Sequence, residues 1–423
     1  SFDCYINAIV QGGYGLNNSA YVHMSIDNVG PNSSIVIPVG FDNITVNQSV
    51  LNSTVVDYGI GLNSTSYYYR VNDSSTWEFA CVDISADASC LWDALLLGDG
   101  VNYSVLSVAN DSLGNYGYND SVHNITLDRY PPAIVLSTPL DSSWNAPRVT
   151  FEYNASDVTS DVASCSLYVD GILNATNSTV SEIGINQFVL QNVSDGVHNW
   201  SISCTDAVGN SNTSLIWDVY VDGSGPTLIL DNPDNFSNIS VSPYTVNATV
   251  DDSAGAGVNA SVFYYRVNDS DSWNEICTDI DDPYSCSWDT SVLNEGVDYA
   301  ILVQANDSLG NDATNDTHAN ITIDRTAPNV TLGVPENNSQ DIDGIVQFNY
   351  TAIDGLSNID YCHFIVDGEI NITDTSVDNG VIQSIDQNFS SGFYTWSVNC
   401  TDYSGNKGMS ESYGLNVSPD IIA

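Results

Sequence analysis

The sequence predicts an all-β chain of four tandem sandwich modules in alternating order, preceded by an extra hairpin. Three observations carry this prediction: a short turn recurs four times, long segments repeat at a fixed spacing, and the cysteines pair within the repeats. The chain has 423 residues, of which 42% are hydrophobic. That is enough apolar material for several cores of ordinary domain size.

The recurring turn combines Asp, Gly and Asn. It reads Ser-Cys-Thr-Asp-Ala-Val-Gly-Asn at 203–210 and Asn-Cys-Thr-Asp-Tyr-Ser-Gly-Asn at 399–406, and a related form, Ala-Asn-Asp-Ser-Leu-Gly-Asn, occupies 109–115 and 305–311. Asp and Asn tolerate left-handed backbone and bond their own main chain, and Gly supplies positive φ without a steric cost. Because an alternating apolar run precedes each copy, each predicts a strand, a tight turn and a returning strand.

The chain is an internal duplication. Tyr69-Arg-Val-Asn-Asp73 recurs 196 residues later, and the same shift relates Trp92 to Trp288 and Trp200 to Trp396. Two kinds of module, B and A, therefore alternate in the order B-A-B-A. Short period-2 runs separated by turn signals fill each module, and no helical period persists. Proline-marked junctions predict the boundaries: 31–131 (B1), 132–225 (A1), 226–328 (B2) and 329–423 (A2).

Eight of the nine cysteines form equivalent pairs. In the A modules the positions suit a bridge between neighbouring strands of one sheet, and in the B modules they close a short local loop. No Cys-x-x-Cys motif or nearby His supports metal binding by these residues. Paired cysteines predict an oxidising, extracellular compartment. The predicted bridges are Cys81–Cys90, Cys165–Cys204, Cys277–Cys286 and Cys362–Cys400, which leaves Cys4 unpaired or bonded between molecules.

The charge balance excludes several partners. There are 53 acidic and 6 basic residues, a formal net charge of −47. Nucleic acids and anionic membrane surfaces need clustered Lys and Arg, so neither is an expected partner. No apolar run approaches the roughly 20 residues that span a bilayer. The chain begins at Ser1 without an initiator Met or signal segment, as a processed secreted protein would.

Asparagine is unusually often followed by Ser or Thr two positions later. About thirty of the roughly 47 Asn residues lie in Asn-x-Ser/Thr sequons, against roughly ten expected from composition. Covalent N-glycans on the outer surface are the favoured interpretation. The alternative is that turn-rich β proteins accumulate Asn, Ser and Thr. Representative sequons begin at Asn43, Asn52, Asn63, Asn154, Asn199, Asn247, Asn320, Asn349 and Asn388.

Two motifs carry a family resemblance. Leu293-Asn-Glu-Gly-Val-Asp-Tyr299, and a less regular copy at 97–103, resembles the tyrosine corner of fibronectin type III and related immunoglobulin-like sandwiches. The Asp-x-x-Gly-Asn turn and the Asp-x-Thr-Ala-Pro linker at 324–328 resemble tandem immunoglobulin-like repeats of prokaryotic, especially archaeal, surface proteins. The resemblance extends from Pro31 onward. It implies four immunoglobulin-like modules, a type that serves as stalk, adhesin, sheath or filament subunit.

Residues 1–30 are too short for a module. Two alternating runs flank a Gly-rich turn, and the exit at 26–31 matches 221–226, so the segment predicts the closing hairpin of an A-type module. A lone hairpin is marginal in water and exposes unpaired edges, so it is expected to need a partner. The predicted assembly positions are Phe2, Cys4, Ile6, Ala8, Val10, Ala20, Val22, Met24 and Ile26.

Three interpretations of this hairpin stay open. It docks on a neighbouring subunit by strand addition, akin to donor-strand complementation, and a head-to-tail contact of that kind builds a filament. It folds back onto the first B module. Or the chain is a cleaved fragment of a longer array.

Metal and catalytic chemistry have less support. Junction residues Asp128, Asp222 and Asp324 are candidate calcium ligands, and so are the acidic clusters at 251–252, 279–282 and 341–343, because clustered loop carboxylates supply the oxygens that calcium requires. Turn and cap roles are the alternative. The five histidines are scattered, and the sequence contains no Gly-x-Ser-x-Gly, His-Glu-x-x-His or phosphate loop. We therefore expect neither enzymatic activity nor an organic cofactor.

The expected function is structural. The sequence favours the subunit of a secreted, N-glycosylated filament or pilus-like fibre that polymerises with itself. The alternative is a cell-surface adhesin, stalk or surface-layer protein. It would bind glycan or protein through loops or through the aromatic runs 67–69 and 263–265.

Overall fold

The computed structural model describes residues 3–9, 19–267 and 272–418, apart from the side chains of 3–9, 19–25 and 118–120. The chain forms two compact units. The first holds the N-terminal hairpin and the chain up to Tyr220, without 144–147 and 194–196; the second holds those two short segments and the chain from Val221 onward. Within the described ranges, no helix is long and apolar enough to cross a membrane.

Each B module packs a three-stranded sheet against a five-stranded one. In the first, strand order is β3-β5-β8 and β4-β10-β9-β6-β7; in the second it is β20-β22-β25 and β21-β27-β26-β23-β24. The first module comprises β3 (Asn32–Ile37), β4 (Asn43–Ile44), β5 (Gln48–Val56), β6 (Leu62–Val71), β7 (Glu78–Asp83), β8 (Ser89–Asp93), β9 (Asn102–Asp111) and β10 (Tyr116–Leu127). The second comprises β20 (Thr227–Asn232), β21 (Asn238–Ile239), β22 (Tyr244–Asp251), β23 (Val258–Val267), β24 (Asn274–Asp279), β25 (Ser285–Trp288), the 3-10 turn η1 (Thr290–Val292), β26 (Gly296–Asp307) and β27 (Asp316–Ile323).

Each A module adds a short extra strand to the larger sheet. The orders are β11-β13-β16 and β12-β19-β17-β14-β15, with β18 on β17, then β28-β30-β33 and β29-β36-β34-β31-β32, with β35 on β34. The first A module comprises β11 (Ala133–Thr138), β12 (Ser143–Asn145), β13 (Val149–Ser156), β14 (Val162–Val169), β15 (Ile172–Asn177), β16 (Asn186–Leu190), β17 (Gly196–Asp206), β18 (Ser211–Thr213) and β19 (Trp217–Val221). The second comprises β28 (Asn329–Leu332), β29 (Ser339–Asp341), β30 (Ile345–Ile353), β31 (Ile359–Val366), β32 (Glu369–Asp374), β33 (Ile382–Asn388), β34 (Gly392–Asp402), β35 (Lys407–Met409) and β36 (Tyr413–Val417).

The predicted all-β fold of four immunoglobulin-like sandwiches is confirmed by these four pairs of sheets. Alternation along the strands places one face of each sheet in a core, as in β13, where Val149, Phe151 and Tyr153 are buried and the residues between them are not.

A buried tryptophan anchors each core, but the two module types supply it differently. Trp92 and Trp288 lie on the smaller sheet of the B modules, in β8 and β25. Trp200 and Trp396 lie on the larger sheet of the A modules, in β17 and β34. The alternation of module types therefore extends to the way each core is filled.

The N-terminal hairpin forms a sheet of its own. Strands β1 (Asp3–Ile9) and β2 (Ser19–Ser25) pair antiparallel, with Cys4 opposite Met24 and Ile6 opposite Val22. Among the described strands, no third one joins this sheet, so the structure does not add the hairpin to a sheet of the first B module. Phe2 and Val10 lie outside the described residues, as do the side chains of the other predicted assembly positions before Ile26.

Candidate functional site at the module junctions

The most regular feature of the molecule is a hydrogen-bonded clamp at the start of each module. The Asn that closes the recurring turn donates from its side-chain amide to the Asp that opens the turn, at 2.6–3.0 Å. The same amide donates to the main-chain carbonyl of the Asp that precedes the module, at 2.9–3.3 Å. The four sets, in the order preceding Asp, turn Asp and clamp Asn, are Asp27/Asp111/Asn115, Asp128/Asp206/Asn210, Asp222/Asp307/Asn311 and Asp324/Asp402/Asn406.

The linker also runs in direct contact with the strand that follows the turn. A Cβ on Gly408 would lie 1.8 Å from the carbonyl oxygen of Pro328, and one on Gly117 would lie 1.6 Å from that of Pro31. Only glycine fits at such a distance. Asn212 takes the corresponding place in the first A module and donates to the Pro132 carbonyl at 3.0 Å. The linkers are thus held by backbone contact as well as by the clamp.

An arginine follows the junction Asp at the end of each B module. Arg129 donates to both carboxylate oxygens of Asp99, at 2.9 and 2.7 Å, and to the carbonyls of Ala94 and Leu97. These hydrogen bonds hold the pKa of Asp99 below its usual range. Arg325 likewise donates to the Thr290 carbonyl at 2.7 Å. Both arginines are therefore bound within the B module that they end.

The junction carboxylates gather in buried clusters, one of them formed by Asp324, Asp354 and Asp402. All three residues are buried, and each offers an oxygen within 4.8 Å of the others. Burial raises the pKa of Asp402; hydrogen bonds from Asn406 oppose the shift, and the charges of Asp324 and Asp354 add to it. The fold thus holds three acidic groups close together in a buried place.

A second cluster has the same construction in the preceding repeat. Asp222, Asp252 and Asp307 also offer oxygens within 4.8 Å of one another, and Asp222 and Asp307 are buried. Burial raises the pKa of Asp252; a hydrogen bond from the Gly257 N–H opposes this, and the charges of Asp222 and Asp307 reinforce it.

The junction between the first B and A modules contains buried oxygens without partners. Asp128 is fully buried, and neither of its carboxylate oxygens accepts a hydrogen bond. Asp157 Oδ2 and Ser160 Oγ are also buried and unpartnered. Burial raises the pKa of Asp128; the hydroxyl of Ser160, close but outside hydrogen-bond geometry, opposes the shift, and the charges of Asp157 and Asp206 add to it.

The other sites predicted from the sequence are dispersed. Tyr67 and Phe263 are fully buried, and Tyr69 and Tyr265 pack on the core tryptophans, so these rings belong to the cores. Acidic runs at 279–282 and 341–343 cap turns: Asp279 accepts from Ser285 N–H and Asp341 from Gly344 N–H. The nine representative sequon asparagines are all exposed or half-buried.

The disulfides differ in the layers they join. Cys165 lies directly opposite Cys204 in neighbouring strands, and Cys362 opposite Cys400. The bridge from Cys81 to Cys90 is local in sequence but connects β7 of the larger sheet to β8 of the smaller one. The Cys277–Cys286 bridge repeats this arrangement. The B-module bridges therefore tie the two layers of the sandwich together.

Comparison with known proteins finds a family model that is similar to part of the chain. Residues 282–368 match the family described as Bacterial Ig-like domain (group 3). That match covers about a fifth of the chain and crosses the predicted B2–A2 boundary. No curated protein matches the chain.

The similar solved structures are tandem repeats. A Ca²⁺-stabilized ice-binding adhesin of an Antarctic bacterium is 15% identical, over 94% of this chain and 100% of that one, with a TM-score of 0.34. A tetra-tandem repeat from the extending region of a large adhesion protein is 18% identical, over 93% and 100%, with a TM-score of 0.34. Fibronectin(III)-like modules of Clostridium thermocellum CbhA are 19% identical, over 46% and 96%, with a TM-score of 0.33. Likeness at this level carries no argument about function.

Proposed function

We propose that this chain is an extracellular structural protein in which tandem modules act as a stiff spacer, as in a stalk or the extending region of an adhesin. The observation that carries the proposal is the clamp repeated at every junction. A flexible tether needs no such contacts, whereas a spacer that bears load gains stiffness from each of them. The four disulfides are consistent with an oxidising exterior. Absence of enzymatic activity stays a prediction.

Limited proteolysis tests the stiffness of the junctions. Trypsin has only six basic residues to cleave at, and two of them, Arg129 and Arg325, lie in the linkers that end the B modules. Asn406→Ala removes the clamp at the second linker, a loss of about 1 kcal/mol. Cleavage tracks the open population when opening is fast, so cleavage after Arg325 should accelerate about fivefold.

Two controls are built into this experiment. Cleavage after Arg129 should keep its rate in the same sample, since that linker has its own clamp at Asn210. Asn371→Ala, at an exposed position of β32, should change neither rate. An unchanged rate after Arg325, or equal acceleration at both linkers, contradicts the spacer proposal.

A second candidate function is suggested by the two-stranded sheet of β1 and β2. A hairpin that no further strand joins has an unpaired edge on each side, and the free main-chain N–H and C=O groups of an edge can pair with another strand. Docking on a second copy would join subunits head to tail into a filament. Negative-stain microscopy of native material distinguishes the two: fibres that disappear on deletion of residues 1–30 support the filament, and isolated rods with or without the deletion contradict it.

N-glycosylation is proposed for the exposed sequons. Intact mass of native material before and after enzymatic deglycosylation tests it, and glycopeptides at Asn154 and Asn388 are the expected products. A mass equal to that of the bare chain would contradict the proposal.

A further inference from the structure

We propose that three junctions each bind a divalent cation, Ca²⁺, between the last Asp of one module and two loops of the next. The inference goes beyond the spacer function and does not depend on it. The ligand sets are Asp128/Asp157/Ser160/Asp206, Asp222/Asp252/Asp307 and Asp324/Asp354/Asp402.

The first of these junctions supplies the decisive observation. Four buried oxygens, two on Asp128 and one each on Asp157 and Ser160, lack hydrogen-bond partners. Buried polar atoms are almost always satisfied, and an unsatisfied carboxylate is among the most costly. Since three of the four belong to carboxylates, a bound cation would supply the partner that they lack.

The other two junctions supply the spacing. In each of them the three carboxylates offer oxygens within 4.8 Å of one another, and two oxygens bound to one Ca²⁺ ion at about 2.4 Å lie no farther apart than about 4.8 Å. The residues come from the same three places in every set: the residue after the last strand of one module, the loop that follows the second long strand of the next, and the recurring turn. The three sets thus occupy equivalent places in the fold, and two of them show the close spacing of oxygens.

The chain itself provides little neutralising charge at these places. Arg129 is next to Asp128 in sequence but is held by Asp99, and Arg325, next to Asp324, is directed to Glu295 and to the carbonyls of Thr290 and Leu293. Carboxylates, joined at the first junction by the Ser160 hydroxyl, form a hard donor set. Such a set suits Ca²⁺, which accepts flexible geometry, better than Mg²⁺, which dehydrates reluctantly.

Metal counting is the first test. Equilibrium dialysis of the full chain against about 1 mM CaCl2, a level at which extracellular modules bind calcium, should retain three ions per chain. Asp324→Asn should reduce the number to two. If Asp324→Asn folds poorly, Asp402→Asn replaces it, with the same expected number. Asp378→Asn, at an exposed position, removes the same charge and should leave three.

Thermal unfolding tests whether Asp324 binds calcium or only contributes to the packing of the fold. Calcium should raise the Tm of the wild-type chain by roughly 5 °C relative to EDTA. In EDTA, Asp324→Asn should unfold at the same temperature as wild type or higher, because it relieves repulsion with Asp354 and Asp402, and it should lose its share of the calcium response. A residue that matters only for packing would lower the Tm equally in both buffers. That outcome, or fewer than three ions retained per wild-type chain, overturns the proposal.

Discussion

At the scale of single residues, the junctions depend on small side chains in contact with backbone. Gly408 lies in β35, against the linker that enters the last module, and its missing side chain is what lets the Pro328 carbonyl approach. A glycine in a strand often marks such a close approach of another backbone segment. The same logic applies to Gly117 and Pro31 at the first module.

Gly408→Ala should therefore destabilise the last module. The new Cβ would lie 1.8 Å from the Pro328 oxygen, and since that oxygen belongs to backbone, the linker has to move. We expect a loss of about 2 kcal/mol in the free energy of unfolding, measured by urea denaturation. Gly296→Ala is the matched control, because its Cβ would meet no atom within 4 Å. Equal effects of the two variants would show that the linker contact contributes nothing.

Tyr299 tests the tyrosine corner. Its hydroxyl donates to the Asn294 carbonyl at 2.7 Å, while its ring packs on Trp288. Tyr299→Phe keeps the ring and removes the hydrogen bond, so it should cost about 1 kcal/mol of unfolding free energy. Tyr116→Phe, at an exposed ring, should change stability by less than about 0.5 kcal/mol. A loss no larger than that of the control would contradict a stabilising corner.

At the scale of elements, the two kinds of disulfide should contribute unequally. The Cys165–Cys204 bridge closes a loop with a sequence separation of 39, and the Cys81–Cys90 bridge one of 9. In the chain-entropy account, removing the first costs about 4 kcal/mol and removing the second about 3. Replacing each pair by Ala and comparing denaturation midpoints checks the order. The fully buried Cys165 and Cys204 also leave a cavity, so the reverse order would contradict both arguments.

The sequence reveals most of the local structure and little of the junction. The duplication, the four turns and the tyrosine corner are short-range patterns, and Tyr299 bonds a carbonyl five positions away. The clamp is different, because Asn406 reaches the Asp324 carbonyl 82 positions earlier. From the sequence, Asn406 is predicted only to form the turn. Its second role, the hydrogen bond to the Asp324 carbonyl, leaves no pattern in the sequence that would distinguish it from an ordinary turn residue.

The acidic clusters show the same limit. Asp128, Asp222 and Asp324 stand out at proline-marked linkers, and Asp252 belongs to the acidic run at 251–252, but Asp354 is a single acidic residue in a loop that resembles an ordinary turn. Spacing in the sequence does not indicate that two loops of one module meet the end of another. The recurrence of an Asp after the second long strand of each module is a signal that could have revealed them.

At the scale of the whole molecule, stability should depend on ionic strength. A net charge of −47 on a chain with six basic residues makes long-range repulsion a destabilising term in the folded state. Raising NaCl from about 10 mM to about 150 mM shortens the screening length from about 30 Å to about 8 Å. With EDTA present to exclude divalent cations, the Tm should therefore rise with NaCl.

This dependence has the opposite sign to that of a protein held together by surface ion pairs, which salt weakens. Two arginine–carboxylate pairs are described. Arg129 with Asp99, at 2.7 Å, is shielded from solvent and loses little to screening, and Arg325 with Glu295, at 3.5 Å, is more exposed. Sucrose at matched osmolality separates screening from solvent exclusion, because it stabilises without shortening the screening length. A Tm that falls with NaCl, or that rises no more than in sucrose, would show that repulsion among the 53 acidic groups does not limit stability.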